Sequence, residues 1–528
     1  MADFEIGSSS CQKQSVELDR LESSLHLYQV PQYRAANGRW FLSFRDAVTN
    51  SGSHFTWDVA AILSVLSFNY VCGDRTLLNE VKRQPWLSQV DPDGAVRLEV
   101  IPSHGRLRKS HAEIARDLGR LLYEDALRVC QGRKEIYILL SGGLDSRIVA
   151  GIVTKLAREG RLIKPPVAVS WGLPDSRDVV YGRLVAQILG IEWVHVSLEA
   201  EDIVRNVEEC VTKLGCLVSP LHLHGMQWFG NVSEEALVLT GSYGDSVGRA
   251  EFSGKHLLEL QCLRPINPFG LVNPAIIDMA YEQVQTDLMS FRDRSPGQPR
   301  YVLCEHEMHG HYTRGLLGHA MSLISSRCTI YHMFTDPHVY RYMWSLHPAM
   351  RSDDVYAELL QQIDPRLARL PWARTNKALR GRTEGARTGL RRGFHEYEAW
   401  IGGPLYDTLS RMIDFDWFAE TGIFRVESIR ALCEIVKRKP RDFRPYERLV
   451  WLVGFGRFAQ WLNELGNSIE LHISKIQPDN TMRHRAVPDG SISSIRQVLG
   501  HSQGLTHTVQ GVRRFFLRRW ALRRYPPQ

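Results

Sequence analysis

The sequence predicts an α/β protein with a parallel sheet and a largely helical C-terminal part. Three observations carry this. Short, continuous apolar runs at 136–140, 167–171, 193–196 and 236–240 read as strands buried on both faces. Amphipathic helical patterns alternate with them, which argues for parallel βαβ units. The first run ends in the Gly-rich turn Ser141-Gly142-Gly143-Leu144-Asp145-Ser146, directly before a helical pattern.

The elements follow in order. Residues 107–130 repeat Ile114, Leu118, Leu121, Leu122, Ala126 and Val129 at helical spacing. After the first strand a helix is expected from Ser146 to Leu156, and after the second another over 178–189. From about 275 to 466 helical patterns dominate. Leu449, Leu452, Phe455, Phe458, Trp461 and Leu462 mark a packed helix at 448–465. Residues 1–30 read as a loose start, 31–105 as a small mixed segment, 106–466 as the main domain and 467–528 as a flexible tail with a basic C-terminal helix.

Composition is that of an ordinary soluble chain: 528 residues, 44% hydrophobic and 23% charged, enough for two to four domains. The net charge of +7 suits polyanionic ligands but makes no strong case for nucleic acid. Nine scattered cysteines without a Cys-x-x-Cys pair read as reduced thiols in a cytoplasmic protein. The apolar stretches at 59–66 and 449–455 fall short of the roughly 20 residues needed to span a bilayer.

The 141–146 turn has the chemistry of a phosphate cradle. Its glycines let backbone approach phosphate oxygens. Free N–H groups at a helix N-terminus point at an anion. Ser141 and Ser146 add hydroxyl donors. Asp145 beside a polyphosphate requires an intervening cation, so it reads as a magnesium ligand. The turn is not a Walker loop; the nearest candidate for one, Gly248 to Lys255, has five residues between its glycines, and His256 stands where Ser or Thr is needed.

The loop resembles that of the N-type ATP pyrophosphatases, in the asparagine synthetase, β-lactam synthetase and lasso-peptide cyclase group. Ser170-Trp171-Gly172 falls where that group holds adenine, and Asp178 on the helix that follows. Gly241-Ser242-Tyr243-Gly244-Asp245-Ser246 resembles the second signature, which places Gly241 and Gly244 at the nucleotide and Asp245 beside Asp145 on magnesium. Arg374-Thr375-Asn376-Lys377 resembles the segment that supplies a catalytic lysine, here Lys377. The resemblance spans roughly 40–466. It implies an adenine-nucleotide α-hydrolase (HUP-like) sheet, ATP and Mg²⁺ as cofactors, and amide-bond synthesis through an acyl-adenylate.

The sequence also departs from this group. Ala2 stands where glutamine-using members expose a cysteine, so 31–105 reads as a truncated remnant of a glutaminase-like domain and linker, without glutamine hydrolysis. Nitrogen would then come from ammonia, a separate ammonia-supplying subunit or an amine on the substrate. Ser242 and Ser246 replace acidic residues, and Thr329 and Tyr331 replace the usual acceptor-side residues, so the substrate is expected to be a specialised small-molecule or peptide carboxylate, as in natural-product biosynthesis. Glu305, Glu307, Tyr312 and His319 are candidates for the base, with Glu305 and His319 taken forward beside Lys377. The alternative is a non-catalytic nucleotide-binding partner or regulatory protein of the same descent.

Two further constellations carry less. His306-Glu307-Met308-His309-Gly310-His311 misses zincin spacing by one position, and His222-Leu223-His224 reads as a polar turn. The basic, aromatic stretch 513–524 reads as a solvated tail helix, with weak contact to an anionic surface as its functional alternative.

Overall fold

A computed structural model describes residues 25–102, 104–252, 263 and 265–469. The basic stretch 513–524 and most of the tail and loose start lie outside the described residues.

The sheet forms where the apolar runs predict it, with β1 (Ile136–Leu139), β2 (Val167–Trp171), β3 (Glu192–Val196) and β4 (Leu237–Thr240), and gains an unforeseen edge strand, β5 (Thr329–His332). Polar residues at both ends hide this last strand from a search for apolar runs. All neighbours are parallel, in the order β5-β4-β1-β2-β3. Register is fixed by pairs such as Ile138 with Leu239 and with Ala168. All four β4 residues are buried, as are Ile136, Ile138 and Leu139 of β1, because helices cover both faces. The strand order reverses between β1 and β4, and in such sheets the crevice beyond the strand C-termini at that point receives ligands.

Helix boundaries have local causes. Ser110 and Glu113 form a capping box that starts the His111–Cys130 helix. The Ser176 side chain accepts the Val179 N–H and starts Arg177–Leu189. Residues Leu449, Val450, Trp451, Leu452 and Val453 are consecutively buried in the Arg444–Glu464 helix, so it is surrounded by protein. Between the helices Arg300–Glu307 and His319–Ser325, the chain winds more widely as the π-helix Met308–Gly318.

There are two cores. One surrounds the sheet and includes Ile138, Ile148, Val169, Val238 and Trp344. The other joins Ile62 and Leu66, from the Val59–Phe68 helix of the N-terminal segment, to Leu449, Leu452 and Phe455. The N-terminal segment thus shares its core with the C-terminal helices. Six described cysteines are free and buried, but Cys304 is disulfide-bonded, which corrects the expectation of a wholly reduced set. Among the described residues no helix is long and apolar enough to cross a membrane.

Candidate functional site

A cleft of about 580 Å³ opens beyond the C-terminal ends of β1, β2 and β4. Its floor is the 141–146 turn. The Leu144–Arg158 helix begins at Gly143, and no side chain caps its first turn. N–H groups left without intrahelical partners there favour an anion, as does the helix dipole. The two serines brace the turn: the Ser141 N–H donates to Ser146 Oγ at 3.2 Å, and the Gly143 N–H donates to Ser141 Oγ at 3.1 Å. Gly142 must be small, since a Cβ there would lie 2.7 Å from Ala373 Cβ. Buried Arg147 donates to Gly142 O at 3.3 Å and to the carbonyls of Leu367 and Pro371 at 3.0 and 2.8 Å. No sequence motif announced this clamp.

The turn after β4 closes on the same helix start. A Cβ on Gly241 would lie 2.5 Å from the Asp145 carbonyl carbon, and one on Gly244 would lie 2.3 Å from Asp145 Oδ1. These contacts bring Asp245 into the cleft beside Asp145. Asp145 Oδ1 is buried without a hydrogen-bond partner, while Oδ2 accepts from Arg249 at 3.3 Å. Burial raises both carboxyls. Asp245, repelled further by Glu251 and Asp145, rises to about 7. Two crowded carboxylates, one with an orphaned oxygen, are a donor set that a hard divalent cation would relieve. Arg249 is itself sandwiched, 5.3 Å from the ring centroids of Tyr356 and Trp372.

At the other end the cleft is lined by Leu139, Val169, Trp171, Met226 and Phe394, a surface suited to a flat ring. Of the three residues expected at adenine, only Trp171 lines the cleft. Ser170 Oγ donates to Leu140 O at 2.5 Å and accepts from Trp193, while the Gly172 carbonyl lies 2.8 Å from His195 Nε2. Ser170 is thus engaged between β3 and the end of β1, and Gly172 on the β3 side. Asp178 lines the cleft, raised to about 6 by burial against the Gly142 N–H that holds it down. His222 and His224 line it too. Burial lowers both, His222 to about 4, so each is a neutral ring near neutral pH.

A profile of the asparagine synthase family matches residues 117–223, which include β1, the 141–146 turn, β2 and β3. Residues 117–223 are asparagine synthase-like. The chain is 35% identical over 96 residues to the glutamine-hydrolyzing asparagine synthetase of Gallus gallus, covering 18% of this chain and 17% of that protein. With those of Mesocricetus auratus and Pongo abelii the identities are 32% and 34% over 96 and 97 residues, with the same coverage. The matched segment is therefore about a sixth of each curated relative.

Beyond this asparagine synthase-like segment, the three expected catalytic side chains lie outside the cleft lining. Glu305 is fully buried; against the cost of burial, Arg351 and His104 hold its carboxyl well below the usual range, at 2.7 and 3.0 Å. His319 is buried with Nε2 3.0 Å from Leu214 O, and burial lowers it to about 3. Lys377 is exposed, its backbone N–H held by Thr375 Oγ1 and its carbonyl by the Trp372 N–H. Glu307 is paired with Arg292 at 2.9 Å. Of the expected base candidates only Tyr312 faces the cleft, joined by Thr313, Leu316, Leu317, Ala320 and Met321. The 306–311 histidines are held in the interior, and no group of three metal-binding side chains occurs among the described residues.

Proposed function

We propose that the protein is an ATP-dependent carbon–nitrogen ligase that adenylates a carboxylate and couples it to an amine, releasing pyrophosphate and then AMP. One observation carries this reading: the turns after β1 and β4 bring Asp145 and Asp245 together at an uncapped helix N-terminus, at the head of an adenine-sized cleft. The asparagine synthase-like segment 117–223 contains the 141–146 turn, which supports the reading.

In the first step a carboxylate oxygen attacks the α-phosphorus, and the bond to the bridging α–β oxygen breaks. The backbone of 142–146 and the hydroxyls of Ser141 and Ser146 hold the departing pyrophosphate, fixed in place by the Arg147 clamp. Asp145 and Asp245 would hold magnesium, which supplies charge neutralisation between the phosphate oxygens. In the second step an amine attacks the activated carbonyl and AMP leaves. The wall facing the phosphate turn is apolar, from Phe252 through Leu316, Leu317 and Met321. It fits an acid with an apolar body better than it fits aspartate.

Pyrophosphate exchange into ATP, with magnesium and a panel of apolar carboxylic acids and aspartate, tests the proposal. Exchange with an apolar acid that Asp145→Ala abolishes supports it. Silence across the panel while ATP still binds supports the second reading, a nucleotide-binding partner protein. That reading is favoured by one observation, that Glu305, His319 and Lys377 all lie outside the cleft.

A further inference from the structure

On the far side of the π-helix from the nucleotide cleft lies a second cavity, of about 360 Å³, between the N-terminal segment and the Pro274–Asp293 helix. The volume falls within the roughly 300–1,000 Å³ of small-molecule sites. The two cavities take alternate residues of one stretch: Tyr312 and Thr313 line the cleft, His311 and Arg314 the second cavity.

The second cavity has an excess of positive charge. Arg75, Lys82, Arg294 and Arg314 line it against Asp74 and Asp287. Counting Asp58 behind them, three carboxylates face four cations. Arg75 is satisfied by Asp287 at 2.5 Å and Asp58 at 2.9 Å, and Arg314 by Asp74 at 2.8 Å. Arg294 has no carboxylate among the described residues; it donates to the carbonyls of Trp86, Leu87 and Glu99 at 2.7, 3.3 and 3.2 Å. Lys82 reaches only Asp58, at 3.5 Å, and is 42% exposed.

His311 adds an independent sign. The Gly73 N–H donates to its Nδ1 at 3.2 Å, so in the neutral ring the proton sits on Nε2. Burial, with Arg314 the next cause, lowers this histidine to about 3, which keeps it neutral. Its Nε2 is a buried donor with no acceptor. His311 lines the positive cavity, and a buried donor left without an acceptor is costly. Phe291, Trp86 and Leu98 complete the lining with apolar surface.

We propose that this cavity is a second small-molecule site, which binds an organic anion: a carboxylate or phosphate head group on Lys82 and Arg294, with a small apolar or aromatic body against Phe291 and Leu98. It is separate from the nucleotide cleft and does not depend on the chemistry assigned there.

The test is isothermal titration of the full-length protein with phenyl phosphate and with benzoate, each with and without saturating ATP. Saturable binding of either probe that ATP leaves unchanged supports the site, and the tighter of the two identifies the head group. Lys82→Glu should weaken that binding by about ten-fold or more, because it reverses the exposed charge at the mouth; it also gives up the 3.5 Å contact to buried Asp58. The fold of the variant is checked by an unchanged thermal midpoint. If Lys82→Glu proves unstable, Lys82→Met serves in its place with a smaller loss. Absence of saturable binding for both probes, competition by ATP, or affinity indifferent to the charge at position 82 would each overturn the assignment.

Discussion

The molecule contains two clusters in which a carboxylate meets a buried arginine, with opposite fates. Around Glu305, the carboxylate, Arg351 and His104 are wholly buried, and both carboxylate oxygens are paired with cationic or imidazole nitrogens. Around Asp145, one oxygen accepts from Arg249 at 3.3 Å, the other is buried without a hydrogen-bond partner, and a second carboxylate, Asp245, is drawn in beside it. The first cluster is closed and satisfied; the second is open to a cleft and short of positive charge. The contrast separates a structural ion pair from a ligand site more reliably than residue type does, because buried charge persists unpaired only where something else completes it.

The largest effect should come from breaking the closed cluster. Arg351→Met leaves Glu305 buried and half-paired, and should cost about 3–5 kcal/mol, read as a lower urea midpoint. A double variant, Arg351→Met with Glu305→Leu, should recover part of that loss; no recovery would mean that the pair does more than neutralise itself. The open cluster should behave in reverse. Asp145→Ala should abolish pyrophosphate exchange yet change stability by no more than about 1 kcal/mol, since it removes a carboxyl that burial already disfavours and Arg249 retains Asp353 at 3.3 Å.

A smaller effect sharpens the same contrast through pH. Asp178 has a folded-state value of about 6, raised from 3.8 chiefly by burial. A raised carboxyl contributes stability that is fully present below the unfolded value and is lost as pH rises through about 6. Asp178→Asn removes the loss, so the variant should gain on the parent between pH 4 and 7. The gain should be about 1–2 kcal/mol, less than the full ~3 kcal/mol of a two-unit shift because the side chain opens on the cleft. Parallel melting curves for the two proteins across that range would show the idea to be wrong. The smallest effect belongs to Lys377→Ala. As an exposed residue outside the cleft it should change stability by under ~0.5 kcal/mol and leave exchange, the first half-reaction, within about two-fold.

Legibility in the sequence divides along the same line. Strands β1 to β4 and the phosphate turn were readable because each is a local pattern: an apolar run, a glycine pair, a helix start. Asp245 was reached through the resemblance of 241–246 to a family signature, which a strand-and-turn pattern alone does not supply. Arg249 and Arg147 were not, because a cation that clamps carbonyls or stacks between rings leaves no spacing signature. Two acid–base candidates, Glu305 and His319, lie outside the cleft for a geometric reason. In an α-helix, residues 305, 312 and 319 are seven apart and share one face. The wider winding of 308–318 turns them away from one another, so Tyr312 reaches the cleft while Glu305 and His319 enter the core. A period-3.6 reading has no means of anticipating that change of pitch.

The Arg147 clamp bears on how the protein becomes competent as it is made. The guanidinium that fixes the phosphate turn closes on carbonyls 220 to 224 positions further along the chain. A ribosome-bound fragment ending before Leu367 therefore carries the whole Ser141–Ser146 turn but lacks the distant partners that hold it in shape. Nucleotide should be retained only by nascent chains from which that distant segment has already emerged.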